Sequence, residues 1–169
     1  YKIGTGKDDF DTRFRWSNQP DLTVKGNAPG TVLQVVQATY STGATTTSSS
    51  YIDTGLSASI TPKSSSSKIL VIVSQSVETY ASNVARIYLQ LLRGASSIRD
   101  FGAVFGDNTN AANDLMGYAT LMYIDSPATT SSTTYKTQYK GAITNGSYGN
   151  YVGVQYGSAP STITLVELA

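Results

Sequence analysis

Histidine and cysteine are absent from this 169-residue chain, and charged side chains make up only 14% of it. Without histidine the chain cannot form a Ser-His-Asp or Cys-His catalytic group, and it lacks the commonest general base and the usual zinc ligands. The absence of cysteine excludes a disulfide framework and is compatible with any redox compartment. Only carboxylate, lysine or tyrosine chemistry therefore remains for catalysis.

The remaining catalytic candidates are weak. A glycoside hydrolase needs two carboxylates about 5–10 Å apart on rigid elements, and the spacing of Glu78, Asp100 and Asp125 gives no reason for them to meet. Residues 4–7 (GTGK) suggest a phosphate loop, but they lack its four-residue spacing and its following Ser or Thr. We expect no enzymatic activity and no cofactor.

Strong charge and long apolar runs are also missing. The formal net charge is +1, so nothing steers the chain toward nucleic acid or an anionic membrane. No apolar stretch approaches the roughly 18 residues of a membrane helix, and no signal peptide opens the sequence. We expect neither nucleic-acid binding nor membrane insertion.

Residues 1–30 differ in composition from the rest of the chain. They carry nine of its 23 charged side chains and its only tryptophan, and they end in the turn-forming sequence NAPG. We interpret residues 1–30 as an extended N-terminal arm or connector that lies against a partner subunit or against the chain's own domain. The candidate attachment residues are Phe10, Arg13, Phe14, Arg15 and Trp16.

From residue 31 to residue 169 the pattern is that of short strands separated by Ser, Thr and Gly turns. Strands are expected at residues 31–40, 50–61, 68–73, 85–92, 115–124, 135–140, 151–156 and 162–168, with the 50–61 segment a strand pair broken near residues 53–55. Residues 41–47 are interpreted as a polar linker. About eight to ten short strands at regular spacing predict an antiparallel sandwich or barrel.

Two of these segments also permit a helix. Residues 68–73 (KILVIV) are apolar on both faces, which is typical of a central strand covered on both sides, although periodicity alone does not exclude a buried helix. Their short length and β-branched content favour a strand. Residues 85–92 alternate between apolar and polar side chains, and the turn signal in residues 93–96 (RGAS) favours a strand there as well.

A set of short motifs resembles a domain of tailed-bacteriophage virion proteins, notably the C-terminal parts of tail or head fibres. The motifs are GTVLQVVQ at residues 30–37, YIDTGL at 51–56, ITPKS at 60–64, SKILV at 67–71, LLRG at 91–94, YIDSP at 123–127 and YK at 135–136. The resemblance covers residues 30–169 and leaves the arm uncovered. It implies a jelly-roll-like β-sandwich, a C1q/TNF-like trimer, location in the virion and no catalytic residues.

Two functions follow from the resemblance and the composition. In the first, the domain is a trimeric fibre tip that binds a glycan or protein on the host surface. In the second, it is a capsid decoration protein that clamps neighbouring shell subunits through residues 1–30. Both make the chain a structural protein whose partners are copies of itself and other virion proteins.

Oxygen-bearing side chains are concentrated in residues 107–114 (DNTNAAND), which makes this segment a candidate calcium site. The candidate ligands are Asp107, Asn108, Asn110 and Asp114. The segment lacks the central glycine and terminal glutamate of an EF-hand loop, and a solvated Asn/Asp loop is the simpler interpretation.

Tyrosine near Ser, Gly and Asn is the positive signal for recognition, because such residues combine rigid contact area with adaptable hydrogen bonds. The chain has 12 tyrosines, and most of them are expected in half-buried strands. In residues 144–157 we expect exposure instead. The weak receptor-binding candidates are Tyr148, Asn150, Tyr151 and Tyr156.

Overall fold

The computed structural model describes residues 28–81, 84–108, 113–143 and 150–169, and these residues form two antiparallel sheets. The strands are β1 (Val32–Tyr40), β2 (Ala44–Thr46), β3 (Ile52–Ile60), β4 (Lys68–Ala81), β5 (Val84–Arg93), β6 (Ser96–Asn108), β7 (Asn113–Asp125), β8 (Thr133–Ile143), β9 (Tyr151–Val154) and β10 (Ser161–Leu168). A 3₁₀ turn, Tyr156–Ser158, separates β9 from β10. None of the helical structure in these residues is long and apolar enough to cross a membrane.

The first sheet is built around the 14-residue strand β4. Strand β7 pairs with one edge of β4 along its length, while β10 and β9 follow one another along the opposite edge. Strand β1 pairs with β10, and β2 pairs with β9. Strands β1 and β2 therefore act as one interrupted strand, and so do β10 and β9. The resulting order is β1/β2, β10/β9, β4, β7, and the second sheet has the order β3, β8, β5, β6. This is the strand order of a jelly roll and confirms the predicted fold.

The predicted break in residues 50–61 is a β-bulge and not a connection between two strands. Strand β3 pairs with β8 on both sides of a register shift between Asp53 and Ser57. Gly55 has a φ of 85° there, and a Cβ added to it would overlap Cε1 of Tyr40. Glycine thus allows both the backbone conformation and the close approach of the Tyr40 ring. The polar linker expected at residues 41–47 also contains a short strand, β2.

The core between the sheets consists of two apolar clusters. One is centred on Val71, Leu165 and Tyr135, and the other on Val77, Leu89 and Tyr139. Alternation along the strands directs these side chains inward, as the two-residue period predicts. All six are buried.

A buried polar bridge lies between the two clusters and joins the two sheets. Gln75 of β4 donates to Oγ of Ser161 at 2.9 Å and accepts a hydrogen bond from Oγ1 of Thr137 at 3.1 Å. Oγ1 of Thr137 lies 2.6 Å from Oγ1 of Thr54 in β3. Because these polar groups satisfy one another, the bridge fixes the relative position of the sheets without a large desolvation penalty.

A second connection lies at the end of β7. Asp125 is buried and accepts hydrogen bonds from Nη1 of Arg93 at 2.9 Å and from the hydroxyl of Tyr135 at 2.7 Å. Arg93 ends β5 and Tyr135 lies in β8. This ion pair therefore attaches the edge strand of the first sheet to two strands of the second.

Candidate functional site

The two outward faces of the sandwich differ sharply in character. On the second sheet the outward face is polar: Asp53 bonds to Nζ of Lys136 at 2.8 Å and to Nε2 of Gln138 at 2.7 Å, and Gln90 continues the chain of hydrogen bonds to Gln138. This network lies across three strands, β3, β8 and β5. It is the surface expected of a sheet that faces water.

The outward face of the first sheet carries an apolar patch. Its strand register places Val35, Val166, Leu70 and Ile124 side by side, one from each of the four strands. In the next outward row, Ile72 stands beside Met122. We call Val35, Leu70, Ile72, Met122, Ile124 and Val166 the apolar face.

The exposure of the apolar face is large for a water-facing surface. Met122 is 66% exposed, Val35 58% and Ile124 54%, while Leu70, Ile72 and Val166 are half-buried. Tyr118 and Met116, further along β7, are also exposed. Contiguous apolar surface of this kind marks a contact site in a soluble protein. Residues 68–73 were expected to be covered on both sides of the strand. Within a single chain only the inward side is covered.

A buried carboxyl lies beyond the apolar face on the same side of the sheet. Glu78 has no exposed surface, and its Oε1 accepts a hydrogen bond from the hydroxyl of Tyr151 at 3.0 Å. Gly153, opposite Glu78, leaves space for it, because a Cβ there would lie 2.8 Å from Oε2. The Tyr151 ring stacks on Tyr80 with centroids 5.3 Å apart.

Asp114 lies diagonally across from Glu78 on β7, within reach of a long side chain. Burial of Glu78, together with its hydrogen bond to the Asp114 carboxylate, raises the pKa of Glu78 to about 7, against the opposing hydrogen bond from Tyr151. Protonated Glu78 can therefore donate a hydrogen bond to Asp114 near neutral pH.

No protein-family model matches the chain, and no curated protein matches it. Among solved structures it is similar to that of the infectious bursal disease virus Gx strain, with 13% identity and a TM-score of 0.45 over 88% of this chain and 40% of that one. The VP2 subviral particle of the same virus gives 16% identity and a TM-score of 0.43, over 80% and 37% of the two chains. The chain thus spans about two fifths of the length of these structures. At these identities and TM-scores the similarity carries no argument about function.

The predicted receptor-binding residues do not form one exposed group. Asn150 is buried, and Tyr151 is half-buried and bonded to Glu78, so the exposure expected for these two residues is wrong. Tyr156 is 46% exposed at the edge of a cleft of about 320 Å³ that Thr45 and Glu78 also line. Tyr148 lies outside the described residues.

The other predicted sites are only partly described. Asp114 is exposed and lies beside Glu78. Nothing in the sequence associates these two residues. The side chains of Asp107 and Asn108, and the whole of Asn110, lie outside the description. Within the described parts of the chain, no group of three or more acidic, histidine or cysteine side chains is placed to hold a metal ion. The arm residues Phe10, Arg13, Phe14, Arg15 and Trp16 also lie outside the description.

The three acids considered for hydrolysis have separate partners. Glu78 bonds to Tyr151, Asp125 to Arg93 and Tyr135, and Asp100 to the hydroxyl of Tyr51 at 3.1 Å. The structure therefore does not bring these carboxyl groups together. The apolar face is the feature that sequence reasoning missed, although the apolar residues on both sides of β4 and β7 were a signal for it.

Proposed function

We propose that this chain is a structural domain of a virus particle, forming the tip of a tailed-phage fibre that assembles as a homotrimer and binds the host surface. The apolar face carries the proposal. A monomeric domain with one polar and one apolar outward face leaves the apolar one exposed to water, whereas assembly through it leaves the polar face outward. The resemblance to fibre domains supports the location of such an assembly on a phage particle.

A second copy of the chain is the occupant that best fits the apolar face. The six residues of the apolar face carry no charge, so this face does not select a charged partner. Four strands about 4.8 Å apart, along a strand of 14 residues, give the whole outward surface of the sheet about 19 by 46 Å, or roughly 900 Å². A standard interface needs about 800 Å² from each partner. The apolar face forms two rows of this surface, so a stable contact through it also uses the polar residues that surround it.

Met122→Lys is expected to convert the assembly to a monomer, because it places a charge within the buried apolar contact. The measurement is the molar mass in solution by light scattering, with the unmodified chain giving three times 17.9 kDa. Ser57→Lys, on the polar outward face of β3, adds the same charge and is expected to leave the trimer intact. A monomeric unmodified chain, or an equal effect of both substitutions, contradicts self-association through the apolar face.

The position on the virion is tested by immunoelectron microscopy with an antibody against residues 31–169. We expect label on projecting fibres or at the tail tip. Label spread over the shell supports the alternative function instead, and absence of label from every particle contradicts both.

The alternative, a capsid decoration protein, is favoured by the composition of residues 1–30 and by where they join the domain. The amide of Gly30 donates to the carbonyl of Ala169 at 2.9 Å, so the arm begins beside the C-terminus. Val32 and Val35 follow directly in β1 and are both exposed. An arm from this point starts next to the apolar face and suits a tether to a neighbouring shell subunit.

A further inference from the structure

A second candidate site lies on the polar outward face of the second sheet. It is a cleft of about 600 Å³ whose floor includes Arg86 and Tyr88 of β5 and Lys140 of β8. Thr47 and Ser49, from the segment between β2 and β3, form one wall. The amide of Gly141 donates to the carbonyl of Ser48 at 2.9 Å and holds this wall against β8.

Small residues keep the floor of the cleft open. Arg86 pairs with Gly106 on one side and with Ala142 on the other. A Cβ at Gly106 would lie 2.9 Å from Cγ of Arg86, so the side chain of Arg86 lies directly over this glycine. Larger residues at either position would fill the space beside the guanidinium.

The cleft is cationic. None of the described residues that line it is acidic, and the ion pairs within the described ranges are Arg93–Asp125 and Lys136–Asp53. Arg86 and Lys140 therefore contribute positive charge that no described acid of this cleft neutralises. A concave surface with charges of one sign concentrates ligands of the opposite sign.

Aromatic rings hold Lys140 at the cleft. Its Nζ lies 4.5 Å from the ring centroid of Tyr51 and 5.4 Å from that of Tyr88, which are cation–π distances. Burial and the hydrogen bond to Asp100 raise the pKa of Tyr51 to about 12, so this ring stays neutral at physiological pH. The ammonium group is thus positioned before any ligand arrives.

We propose that this cleft binds an anionic saccharide bearing carboxylate or sulfate groups. Arg86 and Lys140 supply cations for the acidic group, and the hydroxyls of Thr47 and Ser49 supply partners for sugar hydroxyls. The volume lies within the range of about 300–1,000 Å³ that is usual for small-ligand sites. The inference rests on the proposed host-surface binding and names the ligand class of that binding.

Nucleic acid fits the cleft less well. A duplex carries one charge per about 1.7 Å, and proteins that bind it neutralise many phosphates at once. This cleft offers two cationic side chains on a chain with net charge +1. A saccharide with isolated acidic groups matches that charge density better.

The test measures binding of the full chain to dextran sulfate, carboxymethyl dextran and neutral dextran at low ionic strength. We expect one or both charged polymers to bind and neutral dextran not to bind. Comparison of the affinities for dextran sulfate and carboxymethyl dextran shows whether sulfate or carboxylate is preferred. Arg86→Gln/Lys140→Gln is expected to weaken binding by at least about tenfold. Arg86→Gln alone is expected to give a smaller loss, and thermal melts verify that both variants fold.

Lys63→Gln is the charge-matched control, since Lys63 is exposed in the connection between β3 and β4, outside both the cleft and the apolar face. An equal loss in this control shows non-specific attraction and overturns the site, as does unchanged binding in the double variant. Binding of neutral dextran, or of none of the three polymers, also overturns it. So does tighter binding of a single-stranded oligonucleotide through Arg86 and Lys140. None of these outcomes depends on where the protein lies on the virion, so failure of the cleft and failure of the proposed function are distinguishable.

Discussion

Asp125→Ala is expected to lower the free energy of unfolding by about 2–3 kcal/mol, because the buried hydroxyl of Tyr135 loses its acceptor, while Arg93, whose side chain is 35% exposed, remains partly solvated. Asp125 accepts hydrogen bonds from Arg93 and from the hydroxyl of Tyr135. Tyr135 has no exposed surface, so its hydroxyl loses its partner without gaining water. The substitution also detaches the end of β7 from the second sheet. The measurement is chemical denaturation followed by circular dichroism.

Asp53→Ala is the matched control for this effect. Asp53 forms the other ion pair of the described residues, with Lys136, but its side chain is 52% exposed. Exposed pairs contribute about 0–1 kcal/mol, since water solvates both ions when the pair breaks. Equal losses for the two variants show that burial of Asp125 has no special effect and contradict the prediction.

Glu78→Gln is expected to stabilise the protein at pH 8 and to leave its stability unchanged at pH 4, below the unfolded pKa. The pKa of Glu78 is raised from 4.5 to about 7 in the folded state. Between these two values the folded chain binds more protons than the unfolded chain, so stability falls as pH rises. The loss amounts to about 3 kcal/mol once the pH exceeds 7. Glutamine keeps an acceptor for Tyr151 and provides an N–H donor for Asp114, and thus reproduces the protonated carboxyl.

The measurement is the free energy of unfolding from pH 4 to pH 9 at one protein concentration, because an oligomer melts in a concentration-dependent way. Stability that does not decline between pH 5 and pH 8 contradicts the prediction, as does an equal decline in the variant.

Glu167→Gln is the control with the opposite sign. Burial alone raises the pKa of Glu167, but hydrogen bonds from Nε2 of Gln34 at 2.6 Å and from the amide of Lys63 at 2.7 Å outweigh burial and lower it. Its contribution is therefore present above the unfolded pKa and is lost as pH falls through the folded one. This variant is expected to lose stability at pH 7 and to match the unmodified chain in acid.

The strands of this fold were largely predictable, and their interruptions were not. The alternation in residues 85–92 and the apolar run in residues 68–73 both lie in strands, β5 and β4. The glycine at position 55 suggested a chain break, but a bulge uses the same backbone freedom while the strand continues. Strand β2 has only three residues, ATT, which are too few to show a periodic pattern. It is recognisable as a strand only from its pairing with β9.

The candidate sites were harder to predict, because each combines residues that are distant in the chain. Tyr151 has the composition of a recognition residue, yet its hydroxyl is bonded to the buried Glu78. Arg86 and Lys140 come together only because β5 pairs with β8. Residue type shows what a side chain can do, but the neighbours that decide whether it does so come from the pairing of strands.

The sequence by itself determined the class of the fold and the exclusion of histidine and cysteine chemistry. Two-residue alternation and turn residues are local properties, and so is composition. The tertiary structure alone decided that the apolar residues left over from the core form one continuous face, since only the register places Val35, Val166, Leu70 and Ile124 in one row. It also decided that the buried Glu78 lies beside Asp114, and the pKa of a carboxyl depends on the neighbours and burial that folding creates.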